Sequence, residues 1–242
     1  MCNKMPKHIP RLYIKDLNEE ISFEIVGNQM FKLVAVLRIK SDDKILCFNE
    51  TQGEWLCSIC EIKKSKIIAK KIEFIKTFKE HHKLCFAFCP IKPDRQKIMI
   101  EKTTELGVTN FYPVISEYSN AIINIHKWKD IAISAVEQSE RLDVPEFREK
   151  ISFATFMQNL PDVHWLSAIE RQNDAISPVN LKPDIKDIGF IIGPEGGFSK
   201  AEKEWLQNKT TPVFISKNVL RSETAGIVCV AMTEIIRRNY II

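Results

Sequence analysis

A glycine-rich loop with a carboxylate in its middle is the first candidate for chemistry in this sequence. Residues 191–205 read IIGPEGGFSKAEKEW, and Gly193, Gly196 and Gly197 are three of the eight glycines of the chain. The stretch lacks the G-x-G-x-x-G pattern of dinucleotide-binding folds and the G-x-x-x-x-G-K-[ST] pattern of P-loops. Because the carboxylate of Glu195 would repel a phosphate, the loop favours a cationic or hydrogen-bonding ligand. The alternative is a tight turn that needs glycine at positive φ, with Glu195 binding only backbone amides.

A second polar loop, KNVLRSE at residues 217–223, places Arg221 next to the apolar Val219 and Leu220. The strand-like segment PVFIS precedes this loop, and a stretch that is apolar nearly all round follows it. Such a stretch predicts a buried final helix, in the core or against a second subunit, with Ser222 as its N-cap. If the two loops meet, they form a pocket for a flat heteroaromatic ligand.

Strands that alternate with helices position both loops. Five apolar segments predict strands, in chain order KLCFAFCPI, VTNFYPVIS, HWLSAI, IGFII and PVFIS. Helices are predicted over residues 93–106, with Gly107 as the C-cap, along the apolar face of residues 128–139, and after the capping box of Ser199 and Glu202. This alternation is typical of a parallel α/β sheet, in which ligands bind beyond the carboxyl ends of the strands.

The chain up to about residue 75 predicts a small β-barrel. Six segments rich in β-branched and aromatic residues are separated by turn signals. They are RLYI, SFEIV, FKLVAVLRI, KILCFN, EWLCSICEI and KIIAKKIEFI. A basic stretch, residues 63–71, lies on the last strands of the barrel. We therefore predict two domains, residues 1–74 and 75–242.

The composition is that of a globular protein, with 45% apolar and 27% charged residues. No apolar run reaches the ~18 residues of a membrane span, and the N-terminal segment has no apolar core of a signal peptide. The net charge of +4 fits either a basic partner surface or a solvated lysine-rich surface. We therefore expect a cytoplasmic protein with no membrane partner.

Seven cysteines, an odd number and scattered along the chain, favour reduced thiols over a disulfide framework. Cys57 and Cys60, with histidines and two further cysteines downstream, suggest a zinc site. In a strand, however, Cys57 and Cys60 point to opposite faces, and Cys85 and Cys89 lie in a buried apolar segment. We therefore predict that the protein has no metal site.

The two loops together resemble a known family. IGPEGGFSKAE at residues 192–202, followed by VLRSETA at residues 219–225, is similar to the paired motifs of the RsmE-type 16S rRNA (uracil-N3) methyltransferases of the SPOUT superfamily. EKTTELGV, WKDIAISAVEQSER, VPEF, PRLYI and VLRIK fall in the expected order, so the resemblance spans essentially the whole chain. Glu140 and Ser216 stand where the family has glycine, and PRL at residues 10–12 replaces its His-Arg-Phe.

The resemblance implies a PUA-like, RNA-binding β-barrel followed by a SPOUT α/β domain whose chain end forms a deep trefoil knot, a rare exception to unknotted topology. It implies that S-adenosyl-L-methionine binds in the knot in a bent shape and leaves as S-adenosyl-L-homocysteine. It also implies a homodimer packed through knot helices. The implied reaction is methylation of N3 of one uridine in 16S rRNA, position 1498 in the usual numbering, with free RNA or the small ribosomal subunit as substrate.

Site residues follow from the resemblance and from the chemistry of the reaction. Arg221 is predicted to stabilise the imidate that forms when N3 loses its proton, because its planar donors fit a uracil carbonyl. Glu223 is predicted to be the base, or else only to complement a helix dipole. The implied cofactor contacts are Leu166, Ile192, Gly193, Pro194, Glu195, Gly197, Ile215, Ser216, Val219, Leu220, Thr224 and Ala225. Besides the basic stretch, the candidate RNA contacts are Arg11, Arg38, Arg95 and Lys97.

Two other functions stay open at this point. In one, the barrel binds RNA and the α/β domain only dimerises. In the other, the same fold methylates a different RNA, such as a tRNA. The presence of both loops favours an enzyme, because a protein without a ligand pocket would not need both.

Overall fold

The structure is a computed structural model that describes residues 9–119, 122–168, 175–176 and 187–240, with side chains as far as residue 233. Packing divides the chain into two units. One extends to Glu80 and includes Val136–Val144, and the other comprises His81–Ala135 and the chain from Pro145 onward. The predicted domain ranges, 1–74 and 75–242, stay a prediction.

Five strands form the sheet of the first unit. They are β1 (Arg11–Tyr13), β2 (Ser22–Ile25), β3 (Lys44–Asn49), β4 (Gly53–Ile62) and β5 (Ile67–Lys76), in the order β1-β3-β4-β5-β2. β1 and β3 are parallel, and the other neighbours are antiparallel. In β5, Ile67 and Ala69 are buried whereas Lys70 and Ile72 are exposed, as the two-residue period of a strand requires. Strands over five of the six predicted segments are confirmed.

The strand predicted over FKLVAVLRI is wrong. Gly27–Phe31 form helix α1, and Lys32–Val36 follow it as a π-helical turn. Leu33 is fully buried, whereas Phe31 and Val36 are 68% and 65% exposed. A short apolar run fits a strand and a helix equally well, and in this run few of the side chains pack inward.

In the second unit, the residues that the structure describes form a parallel sheet of seven strands. Its strands are β6 (Leu84–Phe88), β7 (Asn110–Ile115), β8 (Glu146–Phe147), β9 (Ile151–Ser152), β10 (His164–Ser167), β11 (Ile188–Ile192) and β12 (Thr211–Pro212). The order is β12-β10-β11-β6-β7-β8, with β9 paired to β7, and every pair is parallel. Every residue of β6 and β11 is buried. The parallel sheet predicted from the alternation is therefore confirmed.

The described residues form five further helices. They are α2 (Pro93–Glu105), α3 (Ile125–Ser139), α4 (Phe153–Gln158), α5 (Lys200–Lys209) and α6 (Ser222–Tyr240). The predicted helix ends are confirmed at Gly107, which has φ +101°, and at Ser199 and Glu202, which make both bonds of the capping box. The strand predicted over PVFIS is shorter than expected, because only Thr211–Pro212 join the sheet and Val213 makes a single bridge to Ile176. Among the described residues, no helix combines the length and apolar character needed to cross a membrane.

Helix α3 ends within the first unit at a residue with an unusual backbone. Glu140, the residue after α3, has φ +63°. This left-handed conformation brings Cβ close to the following carbonyl oxygen and costs roughly 1–2 kcal/mol for residues other than glycine. The side chain of Glu140 gains little in return, because the residue is exposed. The position where the resembled family has glycine is thus one where glycine is the least strained residue.

Replacing Glu140 by glycine is expected to raise the free energy of unfolding by about 0.5–1 kcal/mol, since the relief of strain exceeds the added flexibility of the unfolded chain. Urea denaturation measures this change. Glu140→Ala is the matched control, because it removes the carboxylate but keeps Cβ, and it should not stabilise the protein. A glycine variant less stable than the alanine variant would contradict the explanation.

Candidate active site

A cavity of about 560 Å³ lies where β10, β11 and β12 end. Residues 193–199, here called the glycine loop, follow β11, and residues 213–221, here called the arginine loop, follow β12; both loops line the cavity. They meet because β10 pairs with β11 on one side and with β12 on the other. The volume is in the range of pockets for small ligands and cofactors.

Two positions in the glycine loop require glycine, each for a different structural reason. Gly197 has φ +74°, a conformation that residues with a Cβ rarely adopt. Gly193 has an ordinary φ, but a Cβ added there would lie 2.9 Å from Cε2 of Phe198. The loop therefore needs one glycine for its turn and another for close packing on an aromatic ring.

The carboxylate of Glu202 holds the end of the glycine loop in place. Its Oε2 accepts a hydrogen bond from the Ser199 amide at 2.9 Å, and its Oε1 accepts one from the Glu117 amide at 2.8 Å. Glu202 is 8% exposed, so both bonds are shielded from water. One buried side chain thus joins the start of α5 to the segment that follows β7.

Arg95, in the first turn of α2, lies between two carboxylates. Its Nη1 is 2.5 Å from Oε1 of Glu195 in the glycine loop, and its Nε is 3.8 Å from Oε1 of Glu223 in α6. The Glu223 side chain is 11% exposed, and its Oε2 is buried without a hydrogen-bond partner among the described residues. The ion pair between Glu195 and Arg95 links the glycine loop to α2.

The start of α6, which directly follows the arginine loop, is joined to the glycine loop by a hydrogen bond. The Ser222 hydroxyl donates to the Gly193 carbonyl oxygen at 2.9 Å. α6 begins at Ser222 itself, one residue earlier than an N-cap at this position predicts. Arg221 is exposed, and within the described part of the chain its side chain has no hydrogen bond or ion pair. Its guanidinium is therefore available to a ligand at the edge of the cavity.

Most of the residues that the resemblance implies as cofactor contacts line this cavity. They are Ile192, Gly193, Pro194, Glu195, Gly197, Ile215, Ser216, Val219, Leu220 and Ala225. Leu166 lies in the core, fully buried, and Thr224 is exposed on α6; neither lines the cavity. Their roles as cofactor contacts stay predictions.

Several lining residues were not predicted from the sequence. Ala168 follows β10, Lys203 lies on α5, and Phe198 and Lys217 lie in the two loops. Phe198 and Lys217 belong to the quoted motifs, and their sequence positions are the signal that could have found them. Lys203 lies in the quoted stretch 191–205 and Ala168 in the segment HWLSAI, but only the strand order and the direction of α5 bring them to the cavity.

The four candidate RNA contacts lie in very different surroundings. Arg38 and Lys97 are exposed. Arg95 makes the ion pairs described above. Arg11 is 9% exposed and is paired with Glu54, with 2.6 Å between Nε and Oε1. The guanidinium of Arg11 therefore has a structural role in the first unit, and we leave it out of the proposed RNA contacts.

The buried cysteines behave as core residues. Burial raises the pKa of the Cys85 and Cys89 thiols to about 11, so both are neutral at physiological pH. In the described ranges, no group of three or more His, Cys, Asp or Glu residues is arranged to hold a metal ion.

The sequence of the chain matches the family models of RNA methyltransferases. The family model described as an RNA methyltransferase domain matches residues 79–234, and that of an RNA methyltransferase PUA domain matches residues 33–72. The predicted fold class, a PUA-like domain followed by an α/β methyltransferase domain, is confirmed. The trefoil knot stays a prediction.

The relatives narrow the class to one family. Ribosomal RNA small subunit methyltransferase E of Rickettsia conorii is 30% identical over 232 residues, covering 93% of this chain and 95% of the relative. The enzyme of that name from Buchnera aphidicola subsp. Schizaphis graminum is 31% identical over 246 residues, covering 96% and 98%. The crystal structure of a Neisseria gonorrhoeae ribosomal RNA small subunit methyltransferase E bound to S-adenosyl methionine superposes with a TM-score of 0.83, at 25% identity, covering 95% of this chain and 98% of that one. The chain belongs to the ribosomal RNA small subunit methyltransferase E family, and the resemblance seen in its motifs is confirmed.

Proposed function

We propose that this protein transfers the methyl group of S-adenosyl-L-methionine to N3 of a single uridine in 16S rRNA, the position implied by the resemblance. The observation that carries the proposal is the cavity between the glycine and arginine loops, in a chain of this family. The substrate is free rRNA or the small ribosomal subunit, and we propose that the protein acts in the cytoplasm.

The cavity fits the proposed cofactor in size and in lining. Ile192, Val213, Ile215, Leu220 and Ala225 supply apolar surface suited to an adenine ring. Gly193, Gly196 and Gly197 have no side chains and therefore line the cavity through their backbone, so backbone groups are available for recognition without a charged fingerprint. When bound there, S-adenosyl-L-methionine supplies an electrophilic methyl group.

Arg221 and Glu223 are the side chains that we propose for the chemistry at the uridine. N3 of uridine is a poor nucleophile until its proton leaves, and the negative charge then spreads onto the neighbouring carbonyl oxygens. Arg221, exposed at the cavity and free of protein partners among the described residues, supplies a permanent charge and planar donors for such an oxygen. Glu223 is the proposed acceptor of the N3 proton.

RNA binding needs cationic side chains that are open to solvent. Arg38 and Lys97 meet this requirement, and so do Lys63, Lys64 and Lys70 of the basic stretch. We propose that these residues contact phosphates, which would make binding sensitive to salt.

We also propose a homodimer that packs through α6, in a knotted C-terminal region. Cys229, Val230 and Thr233 of this helix are buried, whereas Ile227, Val228, Ala231 and Met232 are only partly buried. A helix that presents apolar side chains on both faces is favoured where a second copy covers the open face.

The proposal is tested by methylating small ribosomal subunits, and separately free 16S rRNA, from a strain that lacks the homologous enzyme. Purified protein and labelled S-adenosyl-L-methionine are added, and the nucleosides are analysed by mass spectrometry. The expected product is 3-methyluridine at a single position. RNA from the wild-type strain is the control and should accept no further label there.

The other outcomes identify the alternative functions. Binding of S-adenosyl-L-methionine by calorimetry without methylation of 16S rRNA, but with methylation of tRNA, would support a different substrate. RNA binding with no cofactor binding at millimolar concentration would support an RNA-binding protein whose α/β domain only dimerises. Either result would overturn the proposal.

A further inference from the structure

Arg95, a candidate RNA contact, lines the cavity and contacts carboxylates there. It lies on α2, outside both loops, and is 100 positions from Glu195 in sequence. Its guanidinium nevertheless has one carboxylate from the glycine loop at 2.5 Å and one from the start of α6 at 3.8 Å. The two carboxylates belong to the two segments that enclose the cavity.

The exposure of the three side chains indicates which carboxylate depends more on the Arg95 guanidinium. The side chains of Arg95 and Glu195 are 31% and 37% exposed, so a simple surface ion pair would contribute little. The Glu223 side chain, by contrast, is 11% exposed, and its Oε2 is buried without a partner in the described structure. A buried carboxylate without nearby positive charge is strongly disfavoured, so Arg95 is needed most by Glu223.

The geometry also explains why this residue is an arginine. Nη1 faces Glu195, and Nε faces Glu223, so different edges of one planar group serve the two carboxylates. The ammonium of a lysine is a single point charge and cannot reproduce this arrangement. A guanidinium used in this way has less freedom to bind an RNA phosphate.

We propose that Arg95 is a positioning residue of the methyl-donor site rather than an RNA contact. It holds Glu195, and with it the outer part of the glycine loop, in register with Glu223 at the start of α6. The inference rests on the proposed function, because it assigns to Arg95 the placement of the proposed base and of one cofactor wall. The ion pairs of Arg95 and the Ser222–Gly193 hydrogen bond thus make two connections between the glycine loop and the start of α6.

The test compares Arg95→Ala, Arg95→Lys and Glu195→Gln with wild type. Three quantities are measured for each: the Kd for S-adenosyl-L-methionine by calorimetry, kcat and KM for methylation of small subunits, and the salt dependence of RNA binding. Arg95→Ala is expected to weaken cofactor binding about tenfold and to lower kcat about tenfold, the size of a coupled contact. RNA affinity and its salt dependence should stay within twofold of wild type, and Arg95→Lys should restore only part of both losses.

Exchanging the charges of positions 95 and 195 distinguishes a positioning role of Arg95 from a general loss of folding. Arg95→Glu combined with Glu195→Arg restores the pair in reverse and is expected to bind the cofactor more tightly than Arg95→Glu alone. Glu195→Gln and Arg95→Ala should be less than additive in the double variant, since both remove the same contact. Lys127→Ala, which removes an exposed cation from α3, is the control for charge alone.

The contrary result is equally specific. If Arg95→Ala leaves the cofactor Kd and kcat unchanged but reduces the slope of log affinity against log salt by about one, Arg95 contacts a phosphate and the inference is wrong. If wild type binds S-adenosyl-L-methionine but methylates no rRNA, the proposed function fails, while the calorimetric comparison still decides the role of Arg95.

Discussion

Replacing Arg221 by alanine is expected to lower kcat for methyl transfer by about 100-fold or more, with the Kd for S-adenosyl-L-methionine changed less than threefold. Removal of one donor to a developing negative charge has an effect of this size in enzyme sites. Cofactor binding is expected to be little affected, because Arg221 is exposed, whereas Ile192 and Val213 of the apolar lining are buried. Single-turnover methylation of small subunits with saturating cofactor measures the chemical step directly.

Arg221→Lys distinguishes the shape of the cation from its charge. Lysine keeps the charge but not the planar pair of donors, so we expect it to recover only a small part of the lost rate. Lys209→Ala, at the end of α5, removes an exposed cation away from the cavity and should methylate at the wild-type rate. An alanine variant at position 221 that works within threefold of wild type would show that another group stabilises the charge.

Replacing Arg11 by methionine is expected to lower the free energy of unfolding by about 3 kcal/mol or more, the usual effect of breaking a buried ion pair from one side. Glu54, whose side chain is 4% exposed, would lose the Nε donor at 2.6 Å. The Arg11 guanidinium also donates to the carbonyl oxygens of Val136, Glu137 and Arg141 at the end of α3, at 3.2, 2.9 and 3.1 Å. Urea denaturation, with hydrogen exchange in β1, β3 and β4, would assign the loss to the first unit.

A double variant tests the reason for this loss. Arg11→Met with Glu54→Leu removes both charges, so it is expected to be more stable than Arg11→Met alone. Lys44→Ala, at an exposed position of β3, provides the comparison for loss of a cation from the same unit and should stay within ~0.5 kcal/mol of wild type. A loss below ~1 kcal/mol in Arg11→Met would mean that the buried pair contributes little.

Local sequence was sufficient wherever one element decides its own structure. The capping box of Ser199 and Glu202 and the C-cap at Gly107 involve residues within one turn, and both were predicted. The apolar runs of β6 and β11 predicted buried strands, because a strand covered on both faces needs apolar residues at every position. FKLVAVLRI was mispredicted because its apolar residues fit either period, and only packing around Leu33 decided between them.

The candidate site was predicted in part. Both loops were found, because glycines, a capping serine and an arginine at a helix start are local features. The sequence could not show that Glu195 pairs with Arg95, since the partner lies on α2, 100 positions away along the chain. Nor could it show that Arg11 is buried and structural, because an arginine in a strand reads the same whether its partner is Glu54 or a phosphate.

By itself, then, the sequence determined the class of fold, the two loops and the family to which the chain belongs, because these depend on residue type and short spacing. Only the tertiary structure decided which side chains meet at the cavity. The strand order sets β10 between β11 and β12 and so brings two loops to one place. It also decides which charges are paired and shielded and which, like Arg221, stay open to a ligand, because the strength of an electrostatic interaction depends on burial and partners that no local pattern contains.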